Sequence, residues 1–250
     1  MCTPVPPTGH WHEDYERGRP GWPIQVLEVG DLPATATVLE IGAGTGKLTR
    51  LLVGRFDRVI AVEPDERMRA LLSPLVPEAK VLAGAAEEIP MASASVDAVF
   101  VAEAFHTFDG DYAVTEIARV LRPGGLLVLM WNLPAGPTRP SIAAAEQVLL
   151  DQAPPALAHD PVDLNTRRYS SGEWRAPFRN SAFAEFQEAR FANPQTIDRE
   201  GVVAFFESMG WVGHLPESDR QLLLARVRSL LSAPDYHRSW ETRAYWTRLA

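Results

Sequence analysis

From residue 37 to residue 131, short continuous apolar runs alternate with stretches whose apolar residues recur every three or four positions. The runs are Thr37 to Ile41, Val59 to Val62, Lys80 to Ala83, Val96 to Val101 and Leu126 to Trp131. Continuous apolar strands fit a sheet covered on both faces, as a parallel sheet is. Ile24 to Leu32 predicts a helix ahead of the first strand. Leu48, Leu51 and Leu52 follow that strand at helical spacing. Met68, Leu71 and Leu72 do the same after the second, with Asp65 as a helix N-cap, and Tyr112 to Leu121 carries a further helix. Arg122-Pro123-Gly124-Gly125 stops that helix and turns the chain back. Strands alternating with helices predict a doubly wound, mostly parallel α/β sheet.

The rhythm breaks at Leu133. Pro134 to Pro140 reads as loop and Ser141 to Gln152 as an Ala- and Leu-rich helix. Ala153 to Asn180 has no clear period but holds Tyr169, Trp174 and Phe178. Long irregular insertions tend to be binding loops or lids, so residues 134–182 are expected to form a substrate cap whose aromatics suit a partly apolar acceptor. Phe183 to Phe191 then predicts a sixth strand. Asp198 to Met209 and Glu217 to Leu231 predict helices whose stripes, including Phe205, Phe206 and Met209, belong to the core. Glu241 to Leu249 predicts a last strand. The expected organisation is one domain with its core at about 24–133 and 183–250. Residues 10–23, reading HWHEDYERGRPGWP from His10, are a helix that either packs on the outside or folds over a cofactor as a lid and lends it Tyr15 or Arg19.

Composition narrows the function. The 250 residues are 46% hydrophobic and 22% charged, enough for a sizeable core. A formal net charge of −8 argues against nucleic acid as partner and for a small molecule. The single cysteine, Cys2, lies in a Pro-rich start (Met1 to Gly9) expected to be disordered. It implies no oxidising compartment, and no run spans a bilayer, so the expected location is cytoplasmic with no membrane partner.

The candidate chemistry gathers at VLEIGAGTGKLT, Val38 to Thr49. A strand, a loop with Gly42, Gly44 and Gly46, and a helix start make a seat where a ligand lies against main chain. A nucleoside triphosphate loop needs glycine five residues before Gly46-Lys47 and a hydroxyl after it, but Ile41 and Leu48 stand there. A dinucleotide loop needs glycine at position 47, which is lysine.

With Glu40 ahead of the glycines, this stretch resembles the first motif of the class I S-adenosylmethionine-dependent methyltransferases. Glu63 resembles that family's ribose-binding acid, GAAEEIP (Gly84 to Pro90) its adenine-bordering segment, and SVDAVFVAEAFHTFD and EIARVLRPGGLLVLMWN its fourth and fifth strand motifs. Within the family the likeness is to bacterial trans-aconitate and ubiquinone-type enzymes, whose N-terminal pattern is met by Tyr15, Arg19 and Pro20. At the strand-four signature, Thr107 stands where those enzymes often carry tryptophan. The resemblance implies a Rossmann-like seven-stranded sheet with an antiparallel last strand. It also implies S-adenosylmethionine as cofactor, held by Tyr15, Arg19, Glu40, Gly42, Ala43, Gly44, Glu63, Pro64, Met68, Ala86, Glu87 and Ala102.

Methyl transfer from a sulfonium needs alignment and exclusion of water more than a base. His106, after strand four at the carboxyl edge of the sheet, is the candidate base, with packing beside the cofactor as its other reading. Phe105 and Phe108 either offer ring faces to the sulfonium or pack in the core. Glu103 and Asn132 at the ends of strands four and five do not make the acidic cluster of magnesium-dependent relatives, and no histidine pair has zinc spacing, so no metal is expected. The function expected is metal-independent methylation of a small molecule. A cofactor-binding sensor or assembly protein without turnover is the alternative, and a nicotinamide-dependent reductase is disfavoured by the misplaced third glycine.

Overall fold

The computed structural model describes residues 11–154, 169 and 171–250. The expectations for the Pro-rich start with Cys2, for His10, and for the cap between 155 and 168 and at 170 lie outside the described residues.

Helix α1 (Trp11–Gly18) opens the chain. A 3-10 turn (Ile24–Glu28) follows where a longer helix was expected, because Gly30 and Asp31 both adopt positive φ and Pro33 comes next. Then come β1 (Thr37–Ile41), α2 (Thr49–Val53), β2 (Arg58–Val62), α3 (Glu66–Leu75), β3 (Lys80–Leu82), β4 (Val96–Ala102), α4 (Gly110–Val120) and β5 (Leu121–Pro134). Asp65 caps α3 by accepting from the amides of Arg67 and Met68. After β5 lie α5 (Pro140–Gln152), a 3-10 turn (Glu173–Phe178), β6 (Gln187–Asp198), α6 (Arg199–Glu207), α7 (Gly210–Gly213), α8 (Glu217–Leu230) and β7 (Asp235–Arg248).

Among the described residues seven strands form one sheet in the order β3-β2-β1-β4-β5-β7-β6. β1 to β5 pair in parallel, whereas β7 runs antiparallel to both β5 and β6. The strand order reverses between β1 and β4, which opens a crevice at the carboxyl ends of both.

Both sheet faces are covered, so successive residues of the central strands are all buried. Val99, Val101, Leu127 and Leu129 pack with α4 on one side, and Ala98, Phe100, Val128 and Met130 with α2 and the first 3-10 turn on the other. A third cluster joins α5, α6 and α8 to Tyr236 and Trp240 of β7. The expected stop at Arg122-Pro123-Gly124-Gly125 is instead part of β5. Leu121 pairs with Val96, the register shifts, and pairing resumes at Leu126 with Ala98, Gly124 taking φ +75° in between. β6 and β7 also start later and earlier, respectively, than their apolar residues suggest.

Candidate functional site

The loop between β1 and α2 is stitched to its neighbours before any ligand is considered. The amides of Gly42 and Ala43 both donate to Val62 O, at 2.9 and 3.2 Å. Gly42, Gly44 and Gly46 all have positive φ, but for different reasons of space. A Cβ on Gly42 would lie 2.6 Å from Ala104 Cβ, and one on Gly46 2.3 Å from Leu72 Cδ1, so these two glycines permit close packing. At Gly44 a Cβ would meet only Tyr15 Cε1, at 3.9 Å. Gly44 is thus the glycine whose open side faces the adjoining cavity.

A cavity of about 820 Å³ starts at this loop and runs beneath α1 to the helices α6 and α7. It brings together Tyr15, Arg19, Glu40, Gly42, Ala43, Gly44, Ala102 and His106 from the residues singled out in the sequence. Glu63, Pro64, Met68, Ala86 and Glu87 are not part of its wall. Glu63 stands next to it: Oε2 accepts from Gly44 N at 2.8 Å and Oε1 from Asp65 N at 2.9 Å, leaving each oxygen a second lone pair. Burial pushes its carboxyl up and the two amides oppose the shift. Ala86 is 2% exposed and packs in the core on the α4 side of the sheet. Glu87 is likewise engaged elsewhere, its Oε1 accepting from Asp109 N at 2.7 Å.

Helix α1 is bolted across the cavity at both ends. Toward the loop, Glu16 accepts from Thr45 Oγ1 at 2.5 Å and from Arg50 Nη2 at 2.7 Å, while Lys47 Nζ donates to Glu16 O at 2.6 Å. Burial holds the Lys47 ammonium below its usual range, partly offset by Glu16. Toward α6, Arg19 Nε donates to Ser208 Oγ at 2.8 Å and its guanidinium lies 4.9 Å from the Phe205 ring centre. Between these, burial pushes the Tyr15 phenol up to about 12. Burial also raises Glu40, 2% exposed, to about 8, against a 2.6 Å bond from Thr49 Oγ1.

Two residues noted in the sequence only for not making a metal site prove to be structural members of the wall. Glu103 sits at φ +52° after β4, and its Oε1 accepts from Asn132 N at 2.6 Å. Asn132 in turn donates to Gly21 O and accepts from Asn193 and Thr242, tying the chain after α1 to β5, β6 and β7. Among the described residues no group of three His, Cys, Asp or Glu side chains is placed to hold a metal ion, and no helix is long and apolar enough to cross a membrane.

The far wall is where sequence reasoning missed most. Phe205 and Met209, assigned to the core, are buried and also face the cavity, joined by Ser208, Trp211, His214, Leu215, Trp22 and Trp240. The one available signal was the break Met209-Gly210-Trp211-Val212-Gly213-His214, in which glycines interrupt two helices around a tryptophan and a histidine. The aromatics expected to line the acceptor site do not. Tyr169, Trp174 and Phe178 stack with Trp131, Tyr245 and Phe105 in the core on the α4 side of the sheet, because the Glu173–Phe178 turn packs against α4.

Comparison with known proteins accords with this geometry. Residues 39–129 match the model of a methyltransferase domain. An uncharacterized methyltransferase of Mycobacterium tuberculosis is 52% identical over 119 residues, 47% of this chain and 49% of that protein, so the matched stretch spans about half the length of this curated relative. An uncharacterized methyltransferase-like protein of Schizosaccharomyces pombe is 30% identical over 219 residues, covering 86% of this chain and 81% of that one. A solved chain from Anaeromyxobacter dehalogenans, described as a candidate type II methyltransferase, has the same fold, with a TM-score of 0.64 at 23% identity over 92% of this chain and 97% of that chain. With near-full-length similarity added to the glycine loop and the strand order, the chain belongs to the class I S-adenosylmethionine-dependent methyltransferases.

Proposed function

We propose that the protein transfers the methyl group of S-adenosylmethionine to a small-molecule acceptor, without a metal, by aligning the two reactants and excluding water. The observation that carries this reading is one continuous cavity, which joins a polar seat at Gly44 to an apolar chamber under α6 and α7. The residues fit the cofactor. Glu63 offers one lone pair per carboxylate oxygen to a pair of hydroxyls, and Gly44 leaves room where a side chain would intrude.

When bound, S-adenosylmethionine supplies an electrophilic methyl on a sulfonium whose leaving group is a neutral thioether. The chain's own work is positional. Glu63 and Gly44 hold the ribose end, Glu40, Ala43 and Ala102 border the amino-acid end, and Tyr15 on α1 and Arg19 just after it close over both. Holding reactants in line can account for about 7–11 kcal/mol of barrier in favourable models. His106, on the turn after β4, is the group for accepting a proton from the acceptor.

Calorimetric titration of S-adenosylmethionine and of NAD against the pure protein tests the cofactor, and release of S-adenosylhomocysteine across a small-molecule screen tests turnover. Tight NAD binding without a response to S-adenosylmethionine overturns the reading. His106→Ala is expected to flatten the acid limb of the rate profile at saturating acceptor; unchanged rate and pH dependence would leave His106 a packing role.

A further inference from the structure

The cavity wall opposite the glycine loop has a chemistry of its own. Trp22, Phe205, Met209, Trp211, Leu215 and Trp240 give it a broad apolar and aromatic surface. Trp240 is rigidly held. Its Nε1 donates to Gln195 Oε1 at 3.0 Å, the Phe205 ring lies 5.5 Å away, and the Arg238 guanidinium stands 4.5 Å from its ring centre. An apolar wall in which the Trp240 and Phe205 rings are already held binds an aromatic ligand with little ordering cost.

Two polar side chains in the wall are committed within the protein. Ser208 donates to Phe205 O and accepts from Arg19, and Asn132 uses both ends of its amide. His214 differs. It follows α7, and its Nδ1 lies 2.6 Å from Gly210 O. A carbonyl only accepts, so Nδ1 carries the hydrogen, and in the neutral ring Nε2 is a bare lone pair. No partner for Nε2 is found among the described residues. His214 is exposed yet lines the cavity, which sets it at the mouth.

We infer that the acceptor is a largely aromatic molecule bearing a neutral hydroxyl or amine, and that His214 Nε2 accepts a hydrogen bond from that group at the cavity mouth. Naming the ligand an acceptor rests on the methyl-transfer reading; the recognition itself does not. An O–H or N–H satisfies Nε2, whereas a carboxylate opposes lone pair to lone pair. Standing at the mouth, His214 reads the outer end of the ligand and selects among acceptors, while the methylated atom lies deeper.

Calorimetry on the full chain, with and without saturating S-adenosylhomocysteine, tests this with 2-naphthol, 2-methoxynaphthalene and 2-naphthoate. The expected order is 2-naphthol tightest. His214→Ala should weaken 2-naphthol about five- to tenfold, as loss of one neutral hydrogen bond does, and leave 2-methoxynaphthalene unchanged. His214→Gln, whose amide oxygen accepts, should restore part of the loss. Affinity for S-adenosylhomocysteine should be the same in all three proteins; failure of the wild type to bind it would sink the cofactor reading, with the naphthalene series still deciding this one. The inference is overturned by 2-naphthoate binding as tightly as 2-naphthol, by no 2-naphthol binding up to its solubility limit, or by His214→Ala keeping the wild-type preference for the alcohol over the ether.

Discussion

The two ends of the cavity are built by different physics. At the loop end, the groups come from main chain and from a carboxylate already fixed by amides, Glu63 held by Gly44 N and Asp65 N. At the helical end they come from Phe205, Met209 and Trp211 on and between short helices and from Trp240 of β7, with Ser208 already bonded to Arg19. Backbone geometry tolerates little substitution, because a Cβ on Gly42 or Gly46 would strike a neighbour. An apolar wall accepts many volume-conserving changes. The first arrangement suits a ligand that never varies and the second one that does. Helix α1 joins them, through Glu16 at one end and Arg19 at the other.

The largest effect is expected at Glu63. Glu63→Ala should weaken S-adenosylmethionine by about 1.5–3 kcal/mol for each charge-assisted bond lost, two at most. Glu63→Gln, which can keep one amide contact but not the charge, should fall between. Calorimetry gives both numbers. An unchanged dissociation constant would remove Glu63 from the ribose, and an equal loss of affinity for 2-naphthol would erase the division between the ends.

That division also explains what was legible in the sequence. β1 and its loop were readable because an apolar run followed by glycines at 42, 44 and 46 has few other uses. The helical wall was not, because Phe205 and Met209 are 1% and 3% exposed while facing the cavity, and a residue that does both leaves the same helical stripe as one that only packs. β6 was misplaced because Pro194 argues against a strand interior; as an edge strand, with β7 its one partner in the sheet order, β6 tolerates it. β7 was cut short because Arg238 and Thr242 occupy inward positions where apolar residues are the usual signal. Trp174 and Phe178 misled for the opposite reason: aromatics in an irregular segment suggest a binding loop, yet here they seal the core beside α4.

A smaller effect separates the ends by pH. Glu40 is raised from 4.5 to about 8 by burial, so between these values the folded protein keeps a proton that the unfolded chain has released. Its contribution to stability is therefore full below about pH 4.5 and declines as pH rises toward 8, by up to about 5 kcal/mol if no other group compensates. Glu63, also raised, acts with the same sign. Urea unfolding at steps from pH 5 to pH 8 should show this decline in the wild type and a shallower one in Glu40→Gln, which retains an acceptor for Thr49. Identical slopes would mean that Glu40 is ionised in the folded state and that the loop end pays no such penalty.

The smallest of these effects tests the helix that joins the two ends. Gly18 closes α1 against α6 so tightly that an added Cβ would lie 2.1 Å from Phe205 N and 2.4 Å from Phe205 Cα. Those are backbone atoms, and no rotamer change relieves them. Gly18→Ala must therefore move α1 outward, straining the bonds from Gln195 Nε2 to Gly18 O and from Arg19 to Ser208. Overpacking of this kind costs about 1–3 kcal/mol, measurable as a lower urea midpoint with an unchanged slope. Because Tyr15 on the same helix overlies Gly44, affinity for S-adenosylmethionine and for 2-naphthol should fall together, unlike the selective loss from Glu63→Ala. A Gly18→Ala protein that loses only one of the two affinities would show that α1 belongs to that end alone.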